Sequence, residues 1–206
     1  PQYRDTIATY IEAEGYEMRL FGIGPDGTAA GQLPDELGAP AAIIAASPNF
    51  HGIVEDLSTL AQKAHAAGAL MVAICDPLSL ALLKSPGSCG VDIAVGETQP
   101  LGMPLSFGGP YAGYLAATQA LLRRLPGRIV GETVDRQGRR TFVLTIQARE
   151  QHVRREKATS NICTNQALCA LTATIYLSLM GKTGLIDAAE QSARKAAYLS
   201  RRLVDS

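Results

Sequence analysis

The chain has 206 residues, 19 Lys and Arg against 19 Asp and Glu, and an apolar share of 47%. That length suits one large domain with a sizeable core and is short for two. The balanced charge excludes a global field steering the protein to nucleic acid or to an anionic membrane. The longest apolar runs, 41–46 and 69–75, have strand length and fall far short of a membrane span, which reads as a soluble protein. Cys75, Cys89, Cys163 and Cys169 form neither a CxxC pair nor a zinc-holding spacing. Cys75 and Cys169 therefore read as buried free thiols, and with no signal-type leader the expected compartment is a reducing cytoplasm. The sequence opens at Pro1 without a Met and stops at Ser206 just past a helical pattern, so it reads as a piece truncated at both ends.

Residues 4–15 predict a short helix with Ile7 and Ile11 on one face and Gly15 as its stop. A strand is expected over 16–21, then a Gly- and Pro-rich loop over 22–40 with a short helix at 33–37. Residues 41–46 are a continuous apolar strand. Residues 54–67 are a helix that turns Leu57, Leu60, Ala61 and Ala64 inward and stops at Gly68, and 69–75 are a second apolar strand. This βαβ unit, with strands apolar on both faces, implies a mostly parallel sheet flanked by helices, an α/β fold. A short helix over 78–84, strands over 91–95 and 113–117, and a helix over 118–125 continue the alternation. A hairpin with Gly138 in its turn follows, then a polar segment, the two together spanning 128–160 within a single domain of 1–206. Thr164 or Asn165 can cap a helix running to Met180 and stopped by Gly181, and 184–203 form the last helix.

Asp76 stands where a strand ends, the place where open α/β sheets put ligand-binding groups. The same residue, followed by Pro77, also suits a cap of the next turn. The segment Gly96-Glu97-Thr98-Gln99-Pro100-Leu101-Gly102-Met103-Pro104-Leu105-Ser106-Phe107-Gly108-Gly109-Pro110 has the layout of a pyridoxal-phosphate lysine loop with no lysine in it. In enzymes of the aspartate aminotransferase fold, an aspartate at such a strand end keeps the pyridine nitrogen protonated, and the lysine follows roughly twenty-odd residues later, after one more strand. Counting from Asp76 lands on Gln99. Gly108-Gly109-Pro110 offers amides unobstructed by side chains, useful beside a phosphate, though such a run also makes a tight turn. His51 follows Ser47-Pro48-Asn49-Phe50 at another strand end and is placed to touch a ligand, whereas His65 reads as solvated. His152 lies among Arg149, Arg154 and Arg155, a solvated cluster or an anion-docking one. No Walker loop, Rossmann glycine motif, nucleophile elbow or zinc motif is present, and no metal site is expected.

Ser47-Pro48-Asn49-Phe50, Asp76-Pro77-Leu78-Ser79-Leu80, Gly108-Gly109-Pro110, Gly127-Arg128-Ile129-Val130-Gly131-Glu132-Thr133 and the long block 154–168 together resemble the P-protein of the glycine cleavage system, and within it subunit 1 of the split form. The resemblance runs the length of the chain. It implies the large domain of the aspartate aminotransferase fold (pyridoxal-phosphate fold type I), here without the fold's N-terminal segment and small domain. It implies decarboxylation of glycine and aminomethyl transfer to a lipoylated H-protein, in a complex with glycine decarboxylase subunit 2. Aligned through Gly-Gly-Pro, the family's His-Lys pair falls on Thr98 and Gln99. A glutamine amide is no nucleophilic amine, so Asp76, Thr98 and Gln99 mark a degenerate cofactor site and the partner subunit is expected to hold pyridoxal phosphate covalently. No catalytic residue is expected in this chain. Ser106, Phe107, Gly108 and Gly109 are expected near the partner's phosphate across the interface, and His51, Asn161 and Thr164 as site lining. Two rivals stand beside this reading: an independent pyridoxal-phosphate enzyme using Lys84, Lys157 or Lys182, and a purely structural interaction module.

Overall fold

The computed structural model describes residues 2–29, 33–34, 37–146, 151–158 and 166–204. Helix α1 (Gln2–Ala13) ends where Gly15 takes φ 76, a left-handed cap that glycine adopts without steric cost. The strand expected over 16–21 does not form: these residues join no ladder, and Tyr16, Leu20 and Phe21 are exposed. A strand needs a hydrogen-bonded neighbour, and among the described residues none lies beside this stretch. The short helix expected at 33–37 falls partly outside the described residues; Leu33 is a bend whose side chain enters the core.

The main sheet has the order β1 (Ala42–Ser47), β2 (Leu70–Cys75), β3 (Ile93–Glu97), β4 (Gly113–Ala117). β1 to β3 run parallel and β4 returns antiparallel, with Gly96 opposite Tyr114. Helix α2 (Leu57–Ala66) crosses from β1 to β2 and starts where the Asp56 carboxylate accepts the Ser58 and Thr59 N–H groups. Its inward residues are those the helical period selects: Leu57, Leu60, Ala61 and Ala64 pack on Ile43, Met71 and Ala73. Small residues at 61, 64 and 73 let helix and sheet approach closely, which leaves Leu60 and Met71 fully buried. Gly68, at φ 72, turns the chain back into β2. Among the described residues the opposite face of β1 is half open, with Ile44 exposed.

The helices expected over 78–84 and 118–125 shorten to 3-10 turns, Ser79–Ala81 and Gln119–Arg124. The hairpin forms as read: β5 (Ile129–Val134) and β6 (Arg140–Thr145) pair antiparallel in a sheet of their own. Asp135 accepts the Gln137 and Arg139 N–H groups at its tip, and Gly138 turns at φ 76. The polar segment carries α3 (Gln151–Arg154) and a 3-10 turn, Arg155–Lys157. Helix α4 (Ala167–Val204) breaks at Gly181, where φ 59 and ψ −171 leave the helical region. By length and composition α4 is apolar enough to cross a membrane, a stretch that counting apolar runs alone passes over. The break limits that: residues 167–180 reach about 21 Å at the helical rise, short of a roughly 30 Å hydrocarbon core. Beyond it come Lys182, Asp187, Glu190, Arg194 and Lys195.

His65, read as solvated and exposed in the structure, also ties the end of α2 to the start of β3. Its Nε2 lies 2.8 Å from Asp92 Oδ2, which also accepts the Met71 N–H at 2.8 Å. Burial alone would raise the Asp92 carboxyl, but the Met71 N–H and His65 outweigh it and hold the group below its ordinary 3.8. A carboxyl depressed on folding adds stability that is complete above its ordinary value and is lost as pH falls through the lower folded one. Urea midpoints measured against pH should therefore drop below 3.8, and Asp92→Asn should flatten that limb. An unchanged slope in the variant would remove Asp92 from the acid response.

Candidate functional site

The topology gathers the residues singled out from sequence at one edge. β1, β2 and β3 end at Ser47, Cys75 and Glu97, and antiparallel β4 begins at Gly113 beside them. His51, Asp76, Thr98, Gln99 and the loop 105–110 therefore all leave the carboxyl edge of the parallel strands, where sheets of this class place ligands. Asn161 and Thr164 lie outside the described residues.

Asp76 takes the capping role that its Asp-Pro setting suggested: its two oxygens accept the Leu78 and Ser79 N–H groups at 3.3 and 3.0 Å, and its side chain is exposed. Thr98 directs its hydroxyl to Ala112 O at 2.6 Å, which closes the base of the loop. Gln99 is half-buried, and its carbonyl accepts the Met103 N–H at 3.2 Å. The loop then makes a left-handed run: Ser106 at φ 44, Phe107 at 54, Gly108 at 116 and Gly109 at 126. Two of these are not glycine, so the backbone there is strained. The Tyr111 hydroxyl bonds Leu105 O at 2.6 Å and the Gly108 N–H closes on the same oxygen at 3.1 Å, strapping the loop across its neck. The Ser106, Phe107 and Gly109 N–H groups bond nothing in the described chain. The Phe107 side chain is fully exposed.

Sequence reasoning missed two features of this edge. Tyr114 lies across Gly96, and its hydroxyl donates to Cys75 O at 2.9 Å where the β2–β3 ladder stops. Burial first, then the nearby Cys75, Asp76 and Tyr3, push its phenol up to about 12. Nothing in the pattern of 113–117 announces this, because strand alternation carries no information on what a side chain crosses. The second feature is a polar knot beside His51 in which half-buried Asn49 joins buried Ser47 and Glu55. An isolated glutamate next to a capping aspartate was its only sequence signal.

Similarity to known proteins runs along the whole chain. The family model of the glycine cleavage system P-protein matches residues 1–206. This chain belongs to that family. A "probable glycine dehydrogenase (decarboxylating) subunit 1" of Chlorobium phaeobacteroides is 54% identical over 210 residues, covering 100% of this chain and 47% of the relative. The protein of the same name from Desulforamulus reducens is 52% identical over 204 residues, covering 98% and 46%. The crystal structure of a glycine decarboxylase (P-protein) of the glycine cleavage system, in inhibitor-bound form, superposes with a TM-score of 0.89 at 47% identity. It covers 100% of this chain and 46% of that one. The chain thus spans about half the length of the relatives it matches, and its fold is the α/β, pyridoxal-phosphate type of the P-protein family.

Proposed function

We propose that this chain is part of subunit 1 of glycine decarboxylase. With a subunit 2 partner it would decarboxylate glycine and pass the aminomethyl group to a lipoylated H-protein, in the cytoplasm. Pyridoxal phosphate, when bound, supplies the electron sink that takes up the electron pair left as carbon dioxide departs. Gln99 carries the proposal: an amide stands just beyond the end of β3, and no lysine occurs between 96 and 110. This edge therefore does not fit a covalent anchor of its own, and the partner subunit is the holder.

What the edge does fit is a phosphate approached from outside. Three N–H groups within residues 106–109 bond nothing in the described chain, and a Cβ built on Gly108 would meet nothing within 4 Å. Backbone donors of this kind bind anions and need no lysine. In this reading Ser106, Phe107, Gly108 and Gly109 reach the partner's phosphate, His51 lines the site, and Asn161 and Thr164 complete its mouth. Asp76 caps its own turn in that arrangement, each oxygen accepting one N–H. The apolar stripe of Leu168, Leu171, Ile175 and Leu179 on α4 is exposed, in keeping with a chain that works inside a larger assembly.

Gly109→Val in the full-length subunit, reconstituted with its partner, tests the reading. A Cβ at φ 126 displaces the loop's last donor, so cofactor affinity should fall by about tenfold, the worth of one charge-assisted hydrogen bond. The melting temperature guards against simple unfolding. Unchanged affinity would make this chain a structural brace instead.

A further inference from the structure

Beneath the exposed turn that carries His51 lies a buried carboxylate held by neutral donors. Glu55 is 5% exposed. Its Oε2 accepts the Ala29 N–H at 2.9 Å and its Oε1 accepts Asn49 Nδ2 at 2.8 Å, and among the described residues no ion pair reaches it. Its own N–H donates to the Ser47 hydroxyl at 3.2 Å, itself buried. Asn49 uses its whole bonding capacity. Nδ2 donates to Gly27 O as well as to Glu55, both at 2.8 Å, and Oδ1 accepts the His51 and Ile53 N–H groups at 2.9 and 3.2 Å.

One asparagine thus fixes two segments at once. Through Oδ1 it shapes the turn that follows β1, and through Nδ2 and Glu55 it pins residues 27–29 alongside. What the turn presents is apolar and aromatic yet open to solvent: Phe50 is 78% exposed and meets the His51 ring edge to face, 5.7 Å between centroids at 85°. Burying a carboxyl group on neutral donors is costly, and neither exposed ring recovers that cost by packing in the chain itself.

We propose that Asn49 and Glu55 are positioning residues, which hold the Phe50–His51 pair in fixed aim at the carboxyl edge so that the pair contacts substrate in the shared site. This deepens the reading above and rests on it. Neither Asn49 nor Glu55 touches substrate; they act through the turn.

A polarity swap in the full-length subunit, assembled with its partner, tests the idea with glycine-dependent bicarbonate exchange. Asn49→Asp keeps both acceptor bonds in the turn but sets one carboxylate against another. Glu55→Gln leaves one acceptor where two donors converge, so its NH2 must face either the Asn49 amide or the Ala29 N–H, and one tie of the turn to residues 27–29 is lost either way. Each single change should raise KM for glycine about tenfold, a fraction of the roughly hundredfold that a 1 Å misplacement costs, with kcat changed less. In the double variant the new amide at position 55 donates to the new carboxylate at position 49. The bond between the two side chains re-forms, and most of the KM is restored although Gly27 O has lost its donor. A purely structural knot would lower melting temperature and active fraction and leave KM alone. Unchanged KM in both single variants, or a double variant no better than the worse single, overturns the proposal. If Gly109→Val is equally silent, the shared-site reading falls with it; if Gly109→Val weakens cofactor binding, only the positioning role falls.

Discussion

Gly96→Ala in the full-length protein should cost about 3 kcal/mol, although alanine inside a strand normally gains about 0.5–1 kcal/mol over glycine. The sign reverses because a Cβ at Gly96 would fall well inside contact distance of Cys75 O and 2.6 Å from Tyr114 Cε1. The first neighbour is backbone, fixed by the sheet, and the second is a ring held by its hydroxyl on that same Cys75 O. Neither can give way alone. Overpacking of this kind costs about 1–3 kcal/mol, and swinging Tyr114 aside forfeits its hydrogen bond, about 1 kcal/mol more. Against a total stability of about 5–15 kcal/mol that is a large loss. Gly87 is the control: a Cβ there meets nothing within 4 Å and its φ is not positive, so Gly87→Ala should stay within about 0.5 kcal/mol. Urea midpoints for the two variants decide the matter, and a neutral Gly96→Ala would mean that Tyr114 does not cross there.

The second large effect is all or none. When the complex of full-length subunits is reduced with borohydride and digested, every pyridoxyl label should map to the partner subunit and none to this chain. Lys84 is the lysine to watch. It lines a cavity of about 280 Å³ with Ser47, Cys75 and the apolar side chains of Val54, Leu57, Leu80 and Leu83, beneath the ends of β1 and β2. It nevertheless follows a 3-10 turn after β2 instead of the strand that precedes the loop 98–110. Lys157 and Lys182 are exposed on other elements. A label on any of the three would establish the independent-enzyme reading and displace the shared one.

Much of this was legible in the residues. The apolar runs of β1 and β2, the 3.6-residue spacing of Leu57, Leu60, Ala61 and Ala64, and the glycines at 68, 138 and 181 determined the βαβ unit, the hairpin tip and the break in α4. Each of these is a local preference of backbone or side chain that holds whatever surrounds it. The family motifs and the amide at 99 were equally plain. The misreadings share one physical cause. Residues 16–21 alternate like a strand, but whether an extended segment becomes one depends on a neighbour's hydrogen bonds. His65 is exposed as its helix position suggests, yet its contact with Asp92 was not legible, because only the approach of β3 brings that carboxylate to it.

By itself, then, the sequence determined the fold class, the family and the absence of lysine from 96–110, because periodicity, turn chemistry and residue identity are written along the chain. Tertiary structure alone decided that Tyr114 crosses Gly96, that Asn49 and Glu55 lock the turn under His51, and that Asp76 caps its own turn. These contacts join groups far apart in sequence or choose among competing partners, and a hydrogen bond is settled only where donor and acceptor meet in space.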